Sequence, residues 1–383
     1  MDVRAVVVIG DHSDGNSQSP YALADVLGKA VVFRVVEQLQ SRDIHDVTVI
    51  TDVACEKWPT GTAAHGSWIH APGEQLWKSI EHTFDALVQN GAEIVLVLRL
   101  GTYTELDYHN LLRFHVARHP HITSVVDSHG VPLGIYAISA SRRNHAAQLF
   151  RHRFQQLRCT CEHFLFDGYT NHLSSPNHLR QLAIEGLMQR IQLRPEGEQV
   201  KPGVWIGRGA QVHKRARVLG PSFIGAGSRV RAAAVVTRCT ALEHHTVVDC
   251  GTVVENTTTL PYTYLGAGLD VTHSVVGHSK LYNLKRGVEV EFSDPRLVGQ
   301  ASSRAPLRAA GSLLALASFF PAQLLRGLFA SSQRECPASL PEAIATPAAA
   351  LESTAPIKAK TAPAVDAGEF PANLVIARRY GNE

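Results

Sequence analysis

Residues 206–260 read IGRGAQ VHKRAR VLGPSF IGAGSR VRAAAV VTRCTA LEHHTV VDCGTV VENTTT L when the sequence is divided into groups of six. Every group begins with an aliphatic residue: Ile206, Val212, Val218, Ile224, Val230, Val236, Leu242, Val248, Val254 and Leu260. The fifth residue of every group is small: Ala210, Ala216, Ser222, Ser228, Ala234, Thr240, Thr246, Thr252 and Thr258. A helix of short, flat β-strands requires this period, because each coil buries its aliphatic residues on the next. The stretch therefore predicts a left-handed parallel β-helix built from hexapeptide repeats.

The first half of the sequence alternates between strand and helix signals. Apolar runs predict strands at 4–9, 46–51, 93–98, 122–126 and 133–139, and amphipathic spacing predicts helices at 26–40, 73–90, 106–118 and 175–192. Such alternation is typical of an α/β fold with parallel strands. Residues 194–203 are rich in charged residues, Gly and Pro, and have the composition of a linker. We therefore expect a Rossmann-like α/β domain at 1–195 and the β-helix at 196–299.

The character of the sequence changes again from residue 300. Residues 309–325 carry no formal charge, are flanked by arginines and are interrupted by Pro321. The run is short for a spanning helix, which needs about twenty apolar residues. We expect residues 300–330 to lie on a membrane as an amphipathic or re-entrant segment, or to pack on the protein's own surface. Residues 331–383 are rich in Ala, Pro, Ser and Thr, and we expect them to be disordered.

The composition limits the classes of function. The 383 residues are 45% apolar and 19% charged, as in globular proteins, and the formal net charge is only +3. A charge this small gives no reason to expect nucleic-acid binding. No CxxC pair and no evident secretory signal are present, so we expect a reducing cytoplasm. Cys159, Cys161 and His163 stand close together, but a zinc site usually needs a second ligand pair, which is not evident.

A family resemblance begins after the first predicted strand. The strand AVVVIG is followed by DHSDGNSQSPYALADVLGKAVVFRVVEQL, and its part LADVLGKAVVFRVVEQL resembles the turn and helix of the sugar-nucleotide nucleotidyltransferases. This family joins a nucleoside triphosphate to a sugar 1-phosphate, and many members carry a hexapeptide β-helix behind the catalytic domain. The resemblance extends over residues 1–299 and implies the same order of domains here.

The phosphate-binding loop departs from the family pattern. The family has an arginine in a Gly-rich loop, followed by a Pro-Lys-Pro step, whereas here no Arg or Lys lies between Arg4 and Lys29. Asp11 and Asp14 lie in the loop instead, and Tyr21 stands at the lysine position. Two carboxylates repel a triphosphate unless a metal intervenes. The resemblance implies a nucleotide-binding remnant of Gly10, Gly15, Tyr21 and Gly28. A flexible turn after a strand is the alternative interpretation.

The two metal-binding aspartates of the family are also replaced. The resemblance puts the first at Gly101, within the Arg99-Leu100-Gly101 step of LVLRLGTYTELDYHNLL, and the second at His172 in GYTNHLSSPNHLRQL. Phosphoryl transfer depends on Mg²⁺, which prefers hard oxygen ligands to imidazole. The carboxylates available as substitutes are Asp107, Asp127 and Asp167, although a helix-end or loop role explains each of them more simply.

These departures imply a degenerate family member. We expect a non-catalytic or regulatory protein of sugar-nucleotide or cell-surface polysaccharide metabolism, a role that rests on the resemblance alone. One alternative is an active sugar-1-phosphate nucleotidyltransferase, such as a mannose-1-phosphate guanylyltransferase-like enzyme, with relocated ligands and Mg²⁺ as cofactor. Another is a β-helix acyltransferase, in which a histidine in a groove between subunits acts as general base. The sequence does not choose among its candidate histidines, which are His213, His244, His245, His273 and His278.

Basic residues cluster at the start of the repeats. Residues 201–238 contain eight Lys and Arg and no Asp or Glu. The predicted anion-binding face consists of Arg208, Lys214, Arg215, Arg217, Arg229 and Arg231. Such a surface attracts phosphates, anionic polysaccharide or anionic lipid headgroups, unless it is simply solvated. We further expect a homo-oligomer formed through the β-helix, such as a trimer, and a cytoplasmic protein that is peripheral at the inner membrane surface.

Overall fold

The computed structural model describes residues 1–10, 21–53, 66–73, 75–142, 146, 147, 150, 161–277 and 279–301. These residues belong to one compact unit, whose architecture is mixed α/β with parallel sheets and few helices. We refer to residues 1–197 as the α/β half and to residues 198–301 as the repeat half. The predicted membrane-associated segment from residue 302 onward and the predicted disordered tail lie outside the described residues.

The α/β half is built around one seven-stranded sheet. The strands of this half are β1 (Val3–Ile9), β2 (Asp25–Val26), β3 (Lys29–Ala30), β4 (Val47–Thr51), β5 (Gly66–His70), β6 (Ile94–Arg99), β7 (Thr102–Thr104), β8 (Ile122–Val126), β9 (Pro132–Ser139), β10 (Cys161–Leu165) and β11 (Thr170–His172). Of these, β2 with β3 and β7 with β11 form two separate two-stranded sheets. The α-helices of this half are α1 (Val31–Gln40), α2 (Gln75–Gln89), α3 (Tyr108–Arg118) and α4 (Pro176–Leu187). The seven-stranded sheet has the order β10-β8-β9-β6-β1-β4-β5, and within it only β9 is antiparallel to its neighbours.

The centre of the sheet is buried on both faces. Successive side chains of a strand point to opposite faces, so alternate residues of β1 belong to different cores. Val7 packs in the core that contains the apolar face of α1, whereas Val6 packs in the core that contains α2. This arrangement explains why β1 reads as a continuous apolar run.

Most of the predicted elements of this half are confirmed, and the first helix is corrected. The five predicted strands are present with bounds within one residue. The helix predicted at 26–40 begins only at Val31, because β2 and β3 form a two-residue hairpin. Leu27 and Gly28 at its turn have φ of 55° and 93°, and positive φ at both central residues is typical of a type I′ turn. The helix predicted at 175–192 ends at Leu187.

The repeat half contains short strands that are assigned in turn to three sheets. They are β12 (Glu198–Lys201), β13 (Val204–Ile206), β14 (Gln211–Val212), β15 (Arg217–Val218), β16 (Ser222–Ile224), β17 (Arg229–Val230), β18 (Val235–Thr237), β19 (Thr240–Leu242), β20 (Val247–Val248), β21 (Val253–Glu255), β22 (Thr258–Thr259), β23 (Thr263–Leu265), β24 (Asp270–Thr272), β25 (Ser274–Gly277), β26 (Lys280–Asn283), β27 (Val288–Glu291) and β28 (Val298–Gln300). The sheet orders are β12-β13-β16-β19-β22-β25-β26-β27, β14-β17-β20-β23-β28 and β15-β18-β21-β24. We call β13–β15 rung 1, β16–β18 rung 2, β19–β21 rung 3 and β22–β24 rung 4.

The spacing between paired residues follows the hexads of the sequence. Val212 pairs with Val230, and Val218 pairs with Val236, in parallel and 18 residues apart. The first residues of the hexads therefore lie above one another. Ile224, Val230, Val236, Leu242, Val248 and Val254 belong to one buried cluster.

The repeat shortens by one residue after Val254, and the expectation for Leu260 is wrong. Leu242 pairs with Thr259 and Val254 pairs with Val271, so the offset falls to 17 residues. Thr259 is completely buried in the place predicted for Leu260, and Leu260 instead packs against the core of the α/β half. The cause lies in the turn between rungs: Asn256 alone has a positive φ there, whereas two consecutive residues do so in the turn before β19.

The two halves share a core. Phe223 and Ala241, from the eight-stranded sheet, are completely buried in the same cluster as α1 and α4 of the α/β half. The repeat half is thus packed against the α/β half through the outer side of this sheet.

Candidate functional site

The carboxyl ends of the central parallel strands form the first candidate site. The chain adds β4 and β5 on one side of β1 and then returns to add β6 on the other side. Ligands of open α/β sheets bind in the crevice at such a switch point. Gly10, after β1, and Leu100 and Gly101, after β6, lie at this edge.

Gly101 and His172, at which the family resemblance implies the two metal ligands, lie next to each other. Thr102 and His172 are partners in the antiparallel pair β7 and β11, and the Leu173 amide donates to the Gly101 carbonyl at 2.9 Å. The His172 Nδ1 lies 3.2 Å from the Thr102 hydroxyl oxygen. The guanidinium of Arg99 lies over the ring of Trp77, 5.5 Å from its centre. The corner beside Gly101 therefore carries an imidazole, and Arg99 packs on Trp77 of α2.

The carboxylates considered as substitutes have structural roles where their contacts are described. Asp107 caps α3 by accepting from the His109 amide. Asp127 accepts from the amides of Val131 and His129, and these bonds hold the pKa of its carboxyl below the usual value. Asp167 is exposed. Among the described residues, no group of three or more His, Cys, Asp or Glu side chains is arranged to hold a metal ion.

The beginning of the predicted phosphate loop contacts a carboxylate that sequence reasoning missed. Gly10 has φ of 131°, and the Asp52 carboxylate occupies the space that a Cβ on Gly10 would need. Asp52 follows β4 directly, so a search for polar residues at the ends of adjacent parallel strands would have found it. Gly15, Asp11 and Asp14 lie outside the described residues.

The other two residues of the predicted nucleotide-binding remnant pack within the protein. Tyr21 contacts the core, and burial raises the pKa of its hydroxyl, with Glu289 contributing further. The Gly28 amide donates to Glu243 of the repeat half at 2.8 Å. Gly28 therefore binds a carboxylate of its own chain.

A second candidate site lies where β2 meets the repeat half. The Nε2 of His244 lies 2.9 Å from the Asp25 carboxylate, and its Nδ1 lies 3.0 Å from the Nδ1 of His245. The His245 ring stacks on Tyr262, with ring centres 4.9 Å apart. When Asp25 accepts from the Nε2 proton of His244, the Nδ1 of His244 accepts from His245, and the Nε2 of His245 keeps a free lone pair.

The protonation of this second site is set by its surroundings. Burial lowers the pKa of His245, and His244 and Arg229 lower it further. His245 is thus neutral near pH 7 and able to accept a proton. Gly227 lies against its ring edge, so a side chain at that position would cover the Nε2.

The remaining histidine and cysteine candidates are not part of such a chain of contacts. The Nδ1 of His213 accepts from the Arg215 amide in an exposed turn. His273 has φ of 50° in the turn before β25, and His278 lies outside the described residues. Cys161 is half-buried in β10, which raises the pKa of its thiol to about 11; Cys159 lies outside the described residues.

Glu243 is a buried carboxylate beside the second site, between the two halves. Its two oxygens accept from the amides of Leu27 and Gly28 at 2.7 and 2.8 Å. Burial and, to a smaller extent, Asp25 raise its pKa to about 7, although the two amide bonds and Arg34 oppose this rise. The hairpin turn of the α/β half is thereby attached to the repeat half through one ionisable group.

Arg180 makes a second polar contact across the same junction. Its guanidinium donates to the Cys239 carbonyl, the Asn256 side chain and the Thr258 hydroxyl at 2.5, 2.7 and 3.0 Å. Burial lowers the pKa of Arg180 to about 10.

The six residues of the predicted anion-binding face differ in exposure and in ion pairing. Arg231 pairs with Asp249 at 3.1 Å, which neutralises its charge. Arg229 is exposed in rung 2. The other four residues are exposed in rung 1 or its turns: Arg208, Lys214, Arg215 and Arg217.

Comparisons with known proteins find no matching protein-family model and no matching curated protein. Within the described residues, no helix is long and apolar enough to cross a membrane.

Proposed function

We propose that the protein is a non-catalytic or regulatory relative of the sugar-nucleotide nucleotidyltransferases, acting in sugar-nucleotide or cell-surface polysaccharide metabolism. In this proposal the α/β half is a Rossmann-like nucleotidyltransferase domain and the repeat half is a left-handed β-helix. From β13 to β24 the strands belong in turn to three sheets and pair in parallel between rungs, with offsets of 18 and then 17 residues, which supports the second part.

The observation that carries the proposal is the contact between the two matched positions. Gly101 and His172 were matched to a pair of metal ligands from separate motifs, and they lie side by side. Glycine has no side chain that could bind a metal, and His172 has an imidazole, whereas Mg²⁺ prefers carboxylate oxygens. Asp52 adds a negative charge beside Gly10, where a triphosphate would need a positive one.

We expect the purified protein to form no detectable nucleotide sugar from any nucleoside triphosphate and common sugar 1-phosphate with Mg²⁺. Electrostatic stabilisation of the transferring group is most of what such a site does. The double variant Gly101→Asp, His172→Asp should also be inactive, because Asp52 and Tyr21 remain. Chromatography of the nucleotide products measures both outcomes.

The variant pair is informative because both positions tolerate a new side chain. A Cβ on Gly101 would meet open space, and His172 is exposed, so thermal unfolding should match that of the unmodified chain. Mg²⁺-dependent turnover by the unmodified chain would contradict the proposal and favour an active nucleotidyltransferase with relocated ligands. Asp52 and Asp167 would then be the first residues to replace.

A second candidate function, a β-helix acyltransferase, is favoured by the contacts from Asp25 through His244 to His245. In this reaction the acceptor oxygen or nitrogen bonds to the acyl carbon and the thioester C–S bond breaks. His245 takes the acceptor's proton and passes it to the leaving thiolate. Asp25 and His244 are positioning residues, since they hold the His245 tautomer through hydrogen bonds.

The acyltransferase candidate predicts thiol release from acetyl-CoA when sugar nucleotides are offered as acceptors. His245→Gln should lower the rate by about a hundredfold or more, as for loss of a general base, and Asp25→Asn should lower it less and change its pH profile. His213→Gln is the matched control, because His213 lies in an exposed turn. Equal rates for the His245 variant and the unmodified chain, or no release at all, would exclude this function.

A further inference from the structure

Rung 1 is only partly covered on the side that faces away from rung 2. On that side β12 pairs with β13, whereas the described residues place no strand beside β14 or β15, and we call this part the uncovered end. Val212 is 37% exposed, whereas Val230, directly above it in rung 2, is 2% exposed. Leu219, which follows β15, is 55% exposed. Because β14 and β15 are terminal strands of their sheets, one edge of each strand also has no neighbouring strand among the described residues.

The opposite end of the repeat half is covered, so this exposure is not a general property of its ends. Leu265, Val271 and Val276 are buried at that end. β28 pairs with β23, and Phe292 and Leu281 pack against the same cluster. Among the described residues, one apolar end is therefore covered, whereas Val212 and Leu219 stay accessible at the other.

Positive charge surrounds the uncovered end. Arg208, Lys214, Arg215 and Arg217 are exposed there, and none has an ion-pair partner among the described residues. Of the basic residues of the later rungs, Arg231 and Arg238 are paired with Asp249 and Glu255, whereas Arg229 is exposed. On the nearby strand β12, Glu198 carries one negative charge. Because four positive charges outnumber this one, the end is still strongly basic.

We propose that the uncovered end of rung 1 docks on an anionic membrane surface, with Val212 and Leu219 against the lipid interface and the four basic side chains on lipid phosphates. Aliphatic side chains ringed by Lys and Arg are what an interfacial contact requires. The headgroup region is hydrated, so water and phosphate oxygens satisfy the free backbone amides of the strand edges. The proposal does not depend on the function of the α/β half.

The test is flotation of the full chain with vesicles of phosphatidylglycerol and phosphatidylcholine, compared with vesicles of phosphatidylcholine alone. Each basic residue near an anionic surface contributes about 1 kcal/mol. Arg215→Glu with Arg217→Glu should therefore weaken binding to the anionic vesicles at least tenfold. Leu219→Asp should also weaken it, and its exposure means that the fold should be retained. Circular dichroism checks this.

The matched control is Lys285→Glu with Arg286→Glu, which changes the net charge equally at exposed positions between β26 and β27. This control should bind within about twofold of the unmodified chain. If both double variants lost the same amount of binding to the anionic vesicles, binding would depend on the net charge of the chain and not on this surface, which would overturn the proposal. Unchanged binding of the Arg215 and Arg217 variant would assign binding to another segment and overturn it too. Absence of flotation by the unmodified chain, with binding to a soluble polyglutamate probe, would favour an acidic protein partner instead.

Discussion

Val230→Asp is expected to unfold the repeat half. Val230 is buried between Val212 and Val248, which pair with it from below and above, and it belongs to the aliphatic cluster of the three sheets. An unpaired carboxylate at this position costs about 3–5 kcal/mol, a large part of the 5–15 kcal/mol that typically stabilises a domain. Urea unfolding followed by circular dichroism should show a much lower midpoint, or no cooperative transition.

Val212→Asp is the matched control for this experiment. Val212 belongs to the same column of the same sheet but is partly exposed at the end of the stack. Its carboxylate would keep contact with water, so the cost should be within about 1 kcal/mol. Similar midpoints for the two variants would contradict the view that the column is buried only from rung 2 onward.

The periodic part of the fold could be predicted from the sequence because each hexad repeats one local environment. The predicted register is wrong after the turn length changes. In the turn before β22 only Asn256 has a positive φ, whereas two consecutive residues have one in the equivalent turn before β19. The six-residue period of the sequence does not indicate that one residue is lost from the repeat, because an aliphatic residue, Leu260, still stands at the expected position. The shortened turn instead directs Leu260 towards the α/β half.

The contacts between the two halves could not be predicted, since they join residues that are distant in the chain. Arg180 reads as a polar position of a helix, and Glu243 reads as a surface residue beside two histidines. Both are buried because the two halves pack against each other. The same applies to Asp25, whose contact with His244 defines the second candidate site.

The candidate site at the sheet edge was predicted better, for a physical reason. Carboxyl ends of parallel strands lie at one edge, so residues from separate motifs converge there. Gly101 and His172 were located by motif and were found next to each other. Asp52 was missed because no motif of the family marks it, although its place directly after the predicted strand β4, the neighbour of β1, was a usable signal.

The contribution of Glu243 to the stability of the protein should fall as the pH rises from 5 to 8, whereas that of His115, whose pKa burial lowers to about 4, should rise. The pKa of Glu243 is raised by burial to about 7, against 4.5 in the unfolded chain. The folded state therefore keeps a proton that the unfolded state has already released. The resulting stabilisation is complete below about pH 4.5 and is lost as the pH passes 7, a difference of about 3 kcal/mol for a shift of this size. Urea midpoints measured across this range test the prediction.

Glu243→Gln isolates this contribution, because an amide does not titrate. The variant should lose some stability at every pH, since its NH₂ group faces one of the two amide donors from Leu27 and Gly28. Relative to the midpoint of the unmodified chain, its midpoint should nevertheless rise as the pH increases from 5 to 8. Asp25, Arg34 and His244 remain near the position in both proteins, so the difference between the two profiles reports Glu243 itself. Glu198→Gln, at an exposed strand position, should leave the profile unchanged. Parallel profiles for the Glu243 variant and the unmodified chain would show that this carboxylate ionises inside the junction without cost, and that the two halves are not coupled through its proton.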